Sequence, residues 1–138
     1  MIYNFFILLH LLFCFTDTGS PNPNASACPM IEGKFAPDIP LAVIGGGKRR
    51  GVTITGEKGA RVNTIFDGVI TYVDEKYHAV SIKNEDLLFI YMGVETTVQK
   101  GQEVNLGEYL GILEETSLFL RVKKGDRWIN PRNFMDCD

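Results

Sequence analysis

The chain has 138 residues, of which 45% are hydrophobic and 22% charged. That is the size of one compact domain and a composition that excludes disorder throughout. Seventeen acidic against 14 basic residues, a formal charge of −3, give no electrostatic reason to expect a nucleic-acid partner, and 2 histidines do not by themselves suffice for a histidine-rich zinc site.

In chain order, Ile2 to Phe15 is almost wholly apolar, broken mainly by Asn4 and His10. It is short for a stable transmembrane helix and suits the apolar part of a secretory signal, although no Lys or Arg stands near Met1. A buried N-terminal helix or strand is the alternative. The turn-rich run Thr16 to Ala27 follows, and Ala25-Ser26-Ala27 reads as a small-residue cleavage site that leaves Cys28 first. The expected organisation is a signal and polar spacer over 1–27, an N-terminal extension over 28–47 and a β domain over 48–138. The expected location is secreted, periplasmic or at the cell envelope. Cys28 behind Ala27 also suits a lipid anchor, as does Cys14, though Phe13 before it is bulky. In a secreted chain, Cys28 and Cys137 are either a disulfide tying down both ends or two free terminal thiols.

From Ile31 on, the signals are short β-strands. Leu41-Ala-Val-Ile44 is an apolar run, Val52-Thr-Ile54 alternates, Val69 to Val73 is rich in β-formers, and Ala79 to Lys83 alternates again. Leu87 to Met92 is continuously apolar, which predicts a strand buried on both sides, and Leu118 to Val122 alternates. Asp67-Gly68, Asn84, Lys100-Gly101 and Lys124-Gly125-Asp126 separate these runs. The pattern is that of a small all-β domain without an amphipathic helix.

The sequence also echoes itself. Lys58-Gly59-Ala60-Arg61-Val62-Asn63 precedes Gly68-Val69-Ile70, and Lys100-Gly101-Gln102-Glu103-Val104-Asn105 precedes Gly111-Ile112. Each copy gives a turn at Gly, a short strand with Val, and a second Gly where a bend or close backbone approach leaves no room for a side chain. Two such units can close a barrel or sandwich.

From about Lys48 to Phe134 these residues resemble the LytM-type, lysostaphin-like zinc peptidase domain of the M23 family. Lys58 to Ile70 resembles its first glycine-rich strand pair. Val98-Gln-Lys-Gly101-Gln-Glu-Val104-Asn-Leu-Gly107-Glu-Tyr-Leu110-Gly111 resembles the turn-strand-turn before its last catalytic strand, and Trp128-Ile-Asn-Pro131 its closing segment. The resemblance implies an antiparallel barrel-sandwich or β-sandwich of the duplicated hybrid motif type. It also implies an envelope setting and the cutting of peptide bridges in bacterial cell walls with one zinc ion.

The ligand positions depart from that pattern. In the resemblance, Arg49 falls where a histidine belongs and Thr53 where an aspartate belongs. Ser117 and Phe119 fall on the two histidines of a His-x-His strand, and Met92-Gly93 on a further catalytic histidine. Arg49 is a fixed positive charge that repels the ion, Phe119 has no lone pair, and neutral Thr53 and Ser117 are poor ligands. Without the metal there is no activated water. The reading is therefore no enzyme and no cofactor.

The expected remnant is a groove of Arg49, Thr53, Met92, Ser117, Phe119 and Arg121. Its expected occupant is a peptidoglycan stem peptide or an envelope protein, with regulation of a wall hydrolase as one role. The alternatives are a secreted structural or interaction module without wall affinity, and a zinc endopeptidase with rearranged ligands. Period-two alternation puts Ser117, Phe119 and Arg121 on one face of their strand, opposite Leu118, Leu120 and Val122. Arg49 either binds a carboxylate or is an ordinary solvated cation. His78 reads as a hairpin histidine. Ile44-Gly45-Gly-Gly-Lys48 lacks the first Gly and the Ser or Thr of a phosphate loop. Trp128 reads as an anchor for the C-terminal segment, with sugar stacking as the alternative.

Overall fold

The structure is a computed structural model that describes residues 28–36 and 51–137. The expected signal and spacer over 1–27, the run Leu41–Ile44 and Arg49 lie outside those residues.

The described residues form eleven strands: β1 (Lys34–Phe35), β2 (Val52–Thr55), β3 (Arg61–Asn63), β4 (Gly68–Asp74), β5 (Ala79–Asn84), β6 (Leu87–Met92), β7 (Val94–Glu95), β8 (Glu103–Val104), β9 (Tyr109–Leu113), β10 (Ser117–Lys124) and β11 (Arg127–Ile129). One 3-10 turn, Pro131–Asn133, follows, with Asn130 as its cap. Among the described residues no helix is long and apolar enough to cross a membrane. All pairings are antiparallel. The large sheet runs β1-β2-β10-β6-β5-β4-β8, with β11 paired to β10 beyond the end of β2. The small sheet runs β3-β9-β7.

The core lies between the two sheets. Leu118, Leu120 and Val122 of β10, Phe89 and Tyr91 of β6, and Val80 and Ile82 of β5 supply one wall, and Val62, Leu110 and Leu113 the other. Each such side chain is worth about 1.5–3 kcal/mol when fully buried. β6 departs from the expected two-sided burial: Phe89 and Tyr91 are enclosed, whereas Leu88, Ile90 and Met92 are only half-buried. The large sheet is covered on one face, so alternate apolar residues of β6 remain on the other. Tyr91 is fully enclosed, and its phenol oxygen accepts a hydrogen bond from the Ile65 amide at 3.2 Å. Burial pushes its pKa up, so it stays neutral.

The sequence echo becomes a reciprocal exchange. β3 of the first copy pairs with β9 of the second, and β8 of the second pairs with β4 of the first. The valine of each copy sits opposite the second glycine of the other: Val62 opposite Gly111, and Val104 opposite Gly68. The turn bonds repeat as well. Gly59 N–H donates to Leu113 O and Leu113 N–H to Ala60 O; Gly101 N–H donates to Ile70 O and Ile70 N–H to Gln102 O. A Cβ on Gly111 would stand 2.3 Å from Glu95 O, and one on Gly68 would stand 2.6 Å from Lys83 O. Backbones therefore approach at both places as only glycine permits.

Both ends of the described chain join this body. Cys28 and Cys137, 109 residues apart, form a disulfide. Phe35 N–H donates to Cys137 O, Asn63 N–H to Pro29 O, and Met30 is buried in the core.

Candidate functional site

Strand register lays out the face of the large sheet that points away from the core. Thr53 of β2 pairs with Phe119 of β10, Phe119 with Met92 of β6, and Met92 with Ala79 of β5. These four form one row across the sheet, with neighbours about 4.8 Å apart. The next row holds Arg121, Ile90 and Ser81, and the one after it Trp128, Lys123, Leu88 and Lys83. On the other side of the first row, Ser117 pairs with Thr55.

Three of the six groove positions expected from sequence, Thr53, Phe119 and Met92, thus come together in one row. Ser117 and Arg121 flank it on the same face of β10, and Arg49 lies outside the described residues. Thr53, Met92, Phe119 and Arg121 are half-buried and Ser117 is exposed. The Cys28–Cys137 disulfide belongs to the joined chain ends.

Phe119 and Arg121 converge on Gly51. A Cβ there would stand 2.7 Å from the tip of the Phe119 ring and 2.9 Å from Arg121 Cγ. Phe119 therefore leans over the backbone that leads into β2. The Arg121 guanidinium lies 3.7 Å from the centre of the Trp128 ring, and Lys123 Nζ lies 5.4 Å from it. Trp128 is so stacked with cations as well as pairing β11 to β10. On the central strands β10, β6 and β5, the rows from Lys123 to Phe119 carry three cations (Arg121, Lys123, Lys83), several apolar side chains and no carboxylate.

Zinc takes thiolate, imidazole or carboxylate donors. The row offers a threonine hydroxyl, a phenyl ring and a thioether, with a serine hydroxyl beside it. These residues do not fit the ion. Among the described residues no group of three or more His, Cys, Asp or Glu is placed to hold a metal.

One residue near the row was missed as a member of this region. His78 immediately precedes β5, and its carbonyl accepts hydrogen bonds from Gly93 N–H at 2.9 Å and Val94 N–H at 3.0 Å. His78 Nε2 lies 2.8 Å from a Glu114 carboxylate oxygen. It thus stands beside Met92-Gly93, where the resemblance places a catalytic histidine. The β5–β6 turn holds the missed signal. Asn84 and Leu87 pair around a two-residue turn, Glu85-Asp86, and counting back from that pair sets Ala79 opposite Met92 and His78 next to Gly93.

No family model and no curated protein matches this sequence. Solved structures do. Helicobacter pylori Csd3 superposes with a TM-score of 0.67 at 20% identity, covering 81% of this chain and 33% of Csd3. The catalytic domain of the prophage-encoded M23 protein EnpA from Enterococcus faecalis gives 0.65 at 16% identity, covering 78% of this chain and 95% of that domain. A chain of the SpoIIQ–SpoIIIAH pore forming complex gives 0.65 at 16% identity, covering 84% and 94%. The chain thus spans about a third of Csd3 and nearly all of the other two. These likenesses establish the fold: the all-β sandwich of M23 peptidase-like proteins.

Proposed function

We propose that this protein is a non-catalytic M23-like domain of the cell envelope that uses the outer face of its large sheet to bind wall peptide or an envelope protein. The observation that carries the reading is the row Thr53–Phe119–Met92. It lies where the resemblance places zinc ligands and a catalytic histidine, and its side chains supply hydrocarbon and neutral oxygen instead. The adjoining Arg121, Lys123 and Lys83, set among Ile90, Leu88 and Phe119, favour a ligand with both carboxylate and apolar groups. The likeness to a chain of the SpoIIQ–SpoIIIAH complex supports a protein partner as readily as a peptide one. The signal expected over 1–27 from its apolar run is the sequence feature behind the envelope setting of this reading.

Two measurements test the proposal. Metal analysis of purified protein is expected to find zinc far below one ion per chain, and stoichiometric zinc would overturn the non-catalytic reading. Sedimentation with purified peptidoglycan is expected to retain the protein, with retention lost in Phe119→Ala. Absence of retention by the unmodified protein would move the reading to a module without wall affinity.

A further inference from the structure

The turn Met30–Gly33 and the turn after β2 border an open-mouthed cavity of about 400 Å³, separate from the outer-face row. That volume lies within the range of small-ligand sites, about 300–1,000 Å³. Its apolar lining includes Met30 and Ala60, and Ile31 stands at its edge, 91% exposed. A Cβ on Gly56 would stand 3.1 Å from the Met30 sulfur, so the thioether lies directly against that backbone.

Four charged side chains also line the cavity. Glu32 and Lys34 come from the N-terminal side, and Glu57 and Arg61 from the turn leading into β3. Among the described residues none of the four forms an ion pair with an opposite charge. Arg61 is held in place: its Nε donates to Asn63 Oδ1 at 2.9 Å, and its guanidinium lies 4.7 Å from the centre of the Tyr109 ring. A guanidinium oriented in this way is suited to a carboxylate. Two charges of each sign around one opening favour neither a simple anion nor a simple cation, but they complement a molecule that carries both. The exposed Ile31 adds apolar area to be covered.

We propose that this cavity binds a short zwitterionic peptide: its carboxylate at Arg61 and Lys34, its ammonium at Glu32 and Glu57, and an apolar side chain against Ile31 and Ala60. Thr55, which lines the cavity, follows Thr53 by two residues on the same face of β2 and pairs with Ser117. The cavity therefore opens at the end of the outer face while sharing none of Phe119, Met92 or Arg121. It stands or falls independently of that face.

The test is a titration of the isotope-labelled full chain, followed by two-dimensional NMR, with leucyl-leucine and with its acetylated, amidated counterpart. Saturable shifts at Met30, Ile31, Glu57 and Arg61 are expected with the free-ended dipeptide only. Arg61→Gln and Glu57→Gln are each expected to weaken binding by about fivefold or more, with unchanged melting temperature. Three results would overturn the proposal: no saturable shift at about ten millimolar dipeptide, equal binding of the capped dipeptide, or shifts confined to Phe119 and Met92. Shifts at the cavity that grow with protein concentration alone would assign it to a second copy of the chain, which also overturns it.

Discussion

The two faces of β10 differ in what they ask of the sequence. On the inner face, Leu118, Leu120 and Val122 are wholly enclosed. They pack against β6 neighbours and the small sheet, where a change of one methylene is felt. On the outer face, Ser117, Phe119, Arg121 and Lys123 alternate with them and are exposed or half-buried. The same strand thus carries the fold on one side and the proposed binding face on the other. Residues on the outer side can change donor type without disturbing the core, which is how an M23-like sandwich can hold a phenyl ring where the resemblance expects a metal ligand.

Leu120→Ala is expected to give the largest effect, a loss of about 2–5 kcal/mol in chemical denaturation, because a large cavity opens in a fully packed layer. A loss below about 0.5 kcal/mol would break the distinction between the faces. Replacing both Cys28 and Cys137 by Ser tests the joint between the chain ends and is expected to cost about 2–4 kcal/mol. The same drop should appear on adding reductant to the unmodified protein.

Tyr91→Phe keeps the inner-face ring and removes only the oxygen that accepts from Ile65 N–H. The stranded amide is expected to cost about 1–3 kcal/mol. Phe119→Ala on the outer face removes a half-buried ring and is expected to cost only about 1 kcal/mol, while abolishing retention on peptidoglycan. A stability loss as large as that of Leu120→Ala, with retention intact, would make Phe119 a core residue.

The smallest effect belongs to the corner of the outer face, where Asp74 pairs with Ala79. Hydrogen bonds from the Tyr77 and Lys76 amides and the Tyr72 hydroxyl hold its carboxyl below the usual carboxylate range, the Tyr77 amide contributing most. A lowered folded-state pKa gives stability that is present above the unfolded value, 3.8, and lost as pH falls through the folded one. Asp74→Asn is therefore expected to lower stability slightly at neutral pH, where that contribution is lost, to flatten the acid limb of a stability–pH curve, and to leave the low-pH end nearly unchanged. An unaltered acid limb would show that these bonds contribute nothing.

Much of the sandwich was legible in the sequence because a half-buried strand writes its burial into local alternation. Val52–Ile54 and Leu118–Val122 stand in β2 and β10 for this reason; Ala79–Lys83 alternates in residue type and stands in β5, although Ala79, Val80, Ser81 and Ile82 are all buried there. The two-residue β1 and β7 were not legible, since so short a strand has no period to read. The uniform apolar run of β6 misled for a related reason: its composition does not say which face the small sheet covers.

The candidate site was legible as a set of residue types and illegible as a place. The sequence by itself determined that Phe119 offers zinc no lone pair and that Thr53 and Ser117 are poor donors, because donor chemistry belongs to the side chain. It also determined that Phe119 and Arg121 lie opposite the leucines, because period two is a local property of the strand. Tertiary structure alone decided that Val62 meets Gly111 while Val104 meets Gly68, that Phe119 lies over Gly51, and that four charges gather around Met30. Those contacts join segments far apart in the chain, and their register is set by the packing of whole sheets rather than by neighbours in sequence.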